Sequence, residues 1–164
     1  MEKARLELLQ RMPIFGGIGE DTLEFLLSLS AIIGVRGGDY FFRETDMGDS
    51  LFVLETGKVA VMKSWKGAEH LLRELGKGDC FGEMAVMDLF PRSASVLALE
   101  NCTAIQISVA NLYQIYEKDL EQFTMIQMNM GREVSRRLRK ADEQIFRTEV
   151  ESKGVAVNDV FRYT

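Results

Sequence analysis

The chain carries little with which to build covalent or metal chemistry. Of its 164 residues two are cysteines, Cys80 and Cys102, and one is a histidine, His70. Two cysteines form no disulfide framework, and neither sits at a metal-ligand spacing. That usage fits a reducing compartment, so a cytoplasmic protein is expected. A metal-dependent enzyme on a double-sheet roll needs two or three histidines and a carboxylate. One histidine excludes that class, and no Ser-His or Cys-His nucleophile pair is assured. No catalysis and no metal are expected. Excess positive charge is also missing: 20 Lys and Arg stand against 25 Asp and Glu, a formal charge of −5. That argues against a nucleic-acid binder, but not against a small anionic ligand, which feels its pocket and not the net charge. The longest uncharged apolar run, 25–35, is far shorter than the roughly 20 residues of a membrane helix. Met1 to Met12 carry charges throughout, so they read as an amphipathic helix and not a signal peptide.

What is present describes one soluble globular domain, 46% hydrophobic and 27% charged. Nine of the 14 glycines lie between Gly34 and Gly82, and none between Glu83 and Met130. That distribution divides the chain into N-terminal helices at about 1–29, a strand region at about 30–108, helices at about 109–150, and a tail at 151–164. In the first part Gly16, Gly17 and Gly19 separate two apolar helical runs. Asp21, with Glu24 three residues later, has the pattern of a capping box. In the second part 40–42, 51–54, 59–62, 70–72 and 96–99 are strand candidates. Gly48, Gly57, Gly67 and Gly76 punctuate them at nine- or ten-residue intervals, which suggests a β-barrel or a double-sheet roll. In the third part Phe123, Ile126, Met130, Val134, Leu138, Ala141 and Ile145 recur at steps of three or four, as in one long amphipathic helix. Leu120, Met125 and Met128 add apolar surface off this stripe, so the helix has a second face to bury against a partner.

The chemistry is concentrated between Phe81 and Val96. Gly82 lets backbone approach a ligand with no Cβ in the way. Residues 83–87 can form a helical turn whose free N–H groups suit a phosphate. Arg92, after Pro91, can return to the same phosphate with a forked, charge-assisted bond. Ser93 adds a hydroxyl and Ala94 a backbone N–H. Glu83 is badly placed for phosphate but suited to accept a hydrogen bond from a sugar hydroxyl. Taken singly, Glu83 is an ordinary helix-start carboxylate, Arg92 a solvated turn residue and Gly82 a turn; their joint spacing is what signifies.

The string Phe-Gly-Glu-Met-Ala-Val-Met-Asp-Leu-Phe-Pro-Arg-Ser-Ala-Ser-Val at 81–96 resembles the phosphate-binding cassette of cyclic nucleotide-binding domains. It matches without a gap at Phe81, Gly82, Glu83, Ala85, Pro91, Arg92, Ala94 and Val96. That family includes catabolite-activator-type regulators, regulatory subunits of cyclic-AMP-dependent kinase and cyclic-nucleotide-gated channels. Residues 38–42, 47–52 and 57–61 resemble its strand-and-turn pattern in the expected order, and the resemblance covers roughly residues 10–146. One departure is Thr45, where the family usually has glycine.

The resemblance implies a mainly β fold with flanking helices. Its core would be a double-stranded β-helix, a jelly-roll-like β-roll, with N-terminal helices and a long C-terminal helix. It implies cAMP or cGMP as ligand, with no further cofactor. Glu83 and the Gly82 backbone would bind the ribose 2′-OH. Arg92 would bind the exocyclic phosphate oxygens, with N–H groups near Ala85 and Ala94. Ser93 would meet phosphate or base, and Phe81 and Met84 complete the cassette. Val61 and Leu72 would line the apolar side of the base. An ungapped extension places Arg137, Ala141 and Asp142 of the long helix near it, where relatives have small hydroxyl residues in place of Ala141 and Asp142.

A regulatory or sensor module is therefore expected, dimeric through the long helix. The alternative is a dimerisation module of the same fold with a vestigial pocket. Only 18 residues follow Phe146, too few for the helix-turn-helix of the activator-type regulators. No DNA or membrane binding is expected of this chain. Output would pass through an unidentified effector protein, unless the chain is a piece of a longer regulator.

Overall fold

The structure is a computed structural model and describes residues 2–152; most of the expected tail, 153–164, lies outside the described residues. The chain divides into two compact units after Asn129. The first opens with α1 (Glu2–Gln10), a short 3₁₀ turn (Pro13–Phe15) and α2 (Glu20–Leu29). Gly19, not Asp21, is the N-cap of α2, and no side chain caps it. The Gly19 N–H is instead held by Gln122 Oε1 at 2.7 Å, from far along the chain. Asp21 stays in the first turn, where its charge favours the helix dipole.

Eight antiparallel strands follow: β1 (Ala31–Val35), β2 (Tyr40–Phe42), β3 (Ser50–Thr56), β4 (Val59–Trp65), β5 (Ala68–Leu75), β6 (Cys80–Phe81), β7 (Ser95–Ala98) and β8 (Cys102–Ser108). They form two four-stranded sheets, ordered β1-β8-β3-β6 and β2-β7-β4-β5. The expected double-sheet roll is observed. Sequence periodicity does not isolate β1, β6 and β8. β6 has only two residues, too few to show any period.

Burial along the strands gives their place. Ser50 to Leu54 of β3 are buried without interruption, the mark of a strand covered on both faces. The inter-sheet core is built from Phe52, Leu54, Val59, Val61, Phe81, Val96 and Ala104, among others. Phe41, Phe42, Phe52 and Phe81 form a ring cluster, with Phe52 stacked on Phe81 at 5.4 Å between centroids. In contrast, all but the last residue of β5 are exposed. Trp65, at the end of β4, is 67% exposed beside the Lys66-Gly67 turn, whose residues both have positive φ.

The helices expected over about 109–150 are two: α4 (Val109–Lys118) and α5 (Leu120–Ser152), the second carrying the long apolar stripe. Asp119 lies between them at φ −152°, ψ 93°, and its carboxylate accepts the Gln122 N–H at 3.0 Å. It ends one helix and caps the next. Asn129, near the first unit's end, donates its side-chain amide to the Gly16 carbonyl at 2.8 Å. In the second unit α5 continues with Glu133 paired to Arg136 and Arg137, and Glu143 paired to Arg147. Among the described residues no helix is long and apolar enough to cross a membrane.

Thr45, the departure from the expected glycine, keeps the glycine conformation at φ 74°. A β-branched residue there is strained, by about 1–2 kcal/mol. The strain is held by backbone bonds on both sides: Thr45 N–H donates to Arg92 O at 2.9 Å, and Arg92 N–H donates to Asp46 O at 2.8 Å. Thr45→Gly relieves the strain but adds unfolded-state entropy. It is expected to stabilise the protein by about 0.5–1 kcal/mol. A urea midpoint that is unchanged or lowered would refute that assignment of strain.

Candidate functional site

The site forms where the link from β6 to β7 folds against the loop before β3. β6 delivers Phe81, and Gly82 turns the chain at φ 82°, a conformation that only glycine adopts without strain. The one-and-a-half-turn helix α3 (Glu83–Asp88) starts there, with Glu83, Ala85 and Val86 buried. Leu89 ends it at φ 57°, and β7 begins at Ser95. Between them Arg92 turns back inward and is only 6% exposed.

Arg92 occupies a slot defined by two glycines. A Cβ on Gly48 would overlap its guanidinium, and one on Gly82 would lie 2.7 Å from Nη1. The guanidinium carbon lies 4.0 Å from the centroid of Phe42 and 5.7 Å from that of Phe52, a cation–π arrangement. Nη1 donates to the Gly82 carbonyl at 3.0 Å. Nε is buried with no hydrogen-bond partner among the described residues. Burial pushes the Arg92 pKa down from its ordinary value, while the charges of Asp49, Asp46 and Glu83 push it back up. A buried guanidinium with an unused donor is costly and is chemically suited to an anion.

A cavity of about 400 Å³, counting the space open to solvent, adjoins this slot. Val61, Phe81, Gly82, Glu83, Met84, Ala85, Arg92, Ser93 and Ala94, all expected from the sequence, line it. Phe42, Arg73 and Val96 line it as well. Leu72 does not line it and is 59% exposed. The reason is a bulge: Val61 pairs with Arg73 and Met62 with Leu71, leaving Leu72 as the extra residue. A one-residue slip exchanges the two faces of a strand, so β5 gives the cavity Arg73. Arg137, Ala141 and Asp142 lie on α5 in the second unit. Among the described residues no group of His, Cys, Asp and Glu could hold a metal.

A roll of two antiparallel sheets, with a glycine-started short helix and a buried arginine facing one cavity, defines a β-roll whose cavity is chemically suited to an anion. The cyclic nucleotide-binding domain model matches residues 33–119, and the chain belongs to that family, a ligand-binding and not a catalytic one. It is 28% identical to the cyclic AMP receptor protein of Thermus thermophilus over 81% of this chain and 60% of that protein. It is 34% identical to human cGMP-dependent protein kinase 2 over 58% of this chain and 13% of the kinase. A solved cyclic nucleotide-binding domain from Methylobacillus flagellatus superposes with a TM-score of 0.79 at 24% identity, covering 90% of this chain and 83% of that one. The chain thus spans less than two thirds of both curated relatives.

Gly48→Ala tests the slot directly. The overlapping atoms belong to the end of a flexible side chain, so the variant is expected to fold with little change in urea midpoint. In its crystal structure Arg92 is expected to have left the face of Phe42. Arg92 in its original place, with the new methyl group at position 48 clearly resolved beside it, would refute the slot.

Proposed function

We propose that this chain binds a 3′,5′-cyclic nucleotide, cAMP or cGMP, and works as a non-enzymatic regulatory sensor acting on a partner protein in the cytoplasm. The observation that carries the reading is Arg92, a buried guanidinium with a donor unused among the described residues, beside the cavity. In this reading Arg92 takes the cyclic phosphate, helped by the Ala85 and Ala94 N–H groups. Glu83 and the Gly82 backbone take the ribose 2′-OH. The base lies toward Val61 and Val96. Arg73 lines the cavity at that end and, on binding, exchanges its present interactions for a two-pronged contact to O6 and N7 of guanine, and the Ser93 hydroxyl adds a second polar contact. These favour cGMP over cAMP.

Calorimetric titration of ligand-stripped protein is expected to give heat with both cyclic nucleotides, the tighter binding with cGMP, and much weaker binding of 5′-AMP. Arg92→Ala is expected to cost about 1.5–3 kcal/mol, a fall in affinity of tenfold to more than a hundredfold. No heat with either cyclic nucleotide, or an unchanged Kd in the variant, overturns the reading.

The same reading makes the chain a homodimer through α5. Val134, Leu138, Ala141 and Ile145 recur at alternating steps of four and three, as in a coiled-coil seam, and Leu138 and Ile145 are 60% and 64% exposed. Sedimentation at tens of micromolar should show a dimer, and Leu138→Glu with Ile145→Glu should yield monomers. Monomeric wild-type protein, with and without ligand, contradicts it.

A further inference from the structure

Beside the cavity Lys63 of β4 stands at the centre of a small polar network. Its Nζ pairs with Glu44 at 2.5 Å and donates to the Ser93 carbonyl at 2.7 Å. Glu44 is itself fixed on two sides. Its carboxylate accepts the Ser64 N–H at 2.9 Å, and its own N–H donates to Ser95 Oγ at 2.9 Å. With the backbone bonds between Arg92 and residues 45 and 46, the 92–95 segment is tied down at Arg92, Ser93 and Ser95. The ammonium of Lys63 is the only one of these ties that is both charged and half-exposed.

A trans peptide is planar, and its C=O and N–H point in opposite directions. Among the described residues no peptide bond is cis. Whatever fixes the Ser93 carbonyl therefore fixes the direction of the Ala94 N–H, and Ala94 lines the cavity. Resting on the reading of this cavity as a cyclic nucleotide site, we infer that Lys63, anchored by Glu44, is a positioning residue for the phosphate. It holds the Ser93 carbonyl on the outer side and so keeps the Ala94 N–H turned toward the ligand. Lys63 acts through this peptide and does not touch the nucleotide. The hydrogen bonds from Lys63 and from the Ser64 N–H hold the Glu44 carboxyl below its ordinary pKa, so the anchor stays charged at neutral pH.

An exposed ion pair contributes little to stability. The effect of its loss should appear in binding and not in folding. Lys63→Met is expected to weaken cyclic nucleotide binding about tenfold, with a urea midpoint close to that of the wild type. Lys63→Arg, which can bridge the same two oxygens, is expected to restore most of the affinity. Glu44→Gln is expected to fall between the two. A charge acting only through space would lose its influence at 1 M salt, where screening extends about 3 Å. The ratio of wild-type to Lys63→Met affinity is expected to persist there. The Ala94 amide, followed by NMR in the ligand-free protein, is expected to shift and exchange faster in Lys63→Met. Wild-type protein that binds no cyclic nucleotide overturns the underlying site. Wild-type protein that binds, with Lys63→Met equal to it or with a difference that vanishes at 1 M salt, overturns the positioning role alone.

Discussion

Everything at the cavity follows from the burial of one charge. Arg92 sits where two backbone glycines, Gly48 and Gly82, leave room for a guanidinium against the Phe42 ring. A charge so placed is stable only if surrounding groups compensate for its lost hydration. The compensation from the local chain is incomplete: one bond to the Gly82 carbonyl, the distant attraction of Asp49, Asp46 and Glu83, and a ring face. In the proposed reading an anion completes it. The positive φ at Gly82 and at Thr45 and the absence of a side chain at Gly48 are requirements of the same slot.

The roll is deeply buried and closely packed beneath this slot. β3 is buried on both faces, and Phe52 of that strand stacks with Phe81 beneath the arginine. The segment 92–95 is not left as a free loop, because residues 44–46 and Lys63 engage it by backbone and side-chain bonds. Preorganisation of this kind lowers the ordering cost when a ligand arrives. By contrast, β5 carries an exposed surface and a bulge, and in the proposed reading its wall of the cavity is the one that meets the variable part of a nucleotide.

Much of this was legible in the sequence, and what was not has local causes. The cassette was readable because Gly82, Glu83, Pro91 and Arg92 occur in one contiguous stretch, with no long-range folding needed to bring them into register. The five strand candidates were readable from composition and glycine spacing. Leu72 was misplaced because a bulge leaves no mark in a pattern of alternate residues; only the pairing of Val61 with Arg73 shows it. The break at Asp119 carried a signal, an Asp followed three residues later by Gln122, but it lies just ahead of the apolar stripe that begins at Phe123, and the stripe does not mark it. The cap of α2 was not readable at all, since Gly19 is served by Gln122, 103 residues away. Lys63 carries no signal in the sequence, because its significance depends on where the Ser93 carbonyl lies in space.

The exposed indole at the end of β4 has a practical side. Trp65 is the chain's single tryptophan, and it stands two residues from Lys63 and four from Val61 on the strand that forms one wall of the cavity. Light emitted by this protein on selective indole excitation therefore originates at one hairpin tip, already in contact with water and 5.8 Å from the Lys66 ammonium. The molecule contains its own optical probe, placed beside the strand a ligand would press against, with no other indole to obscure it.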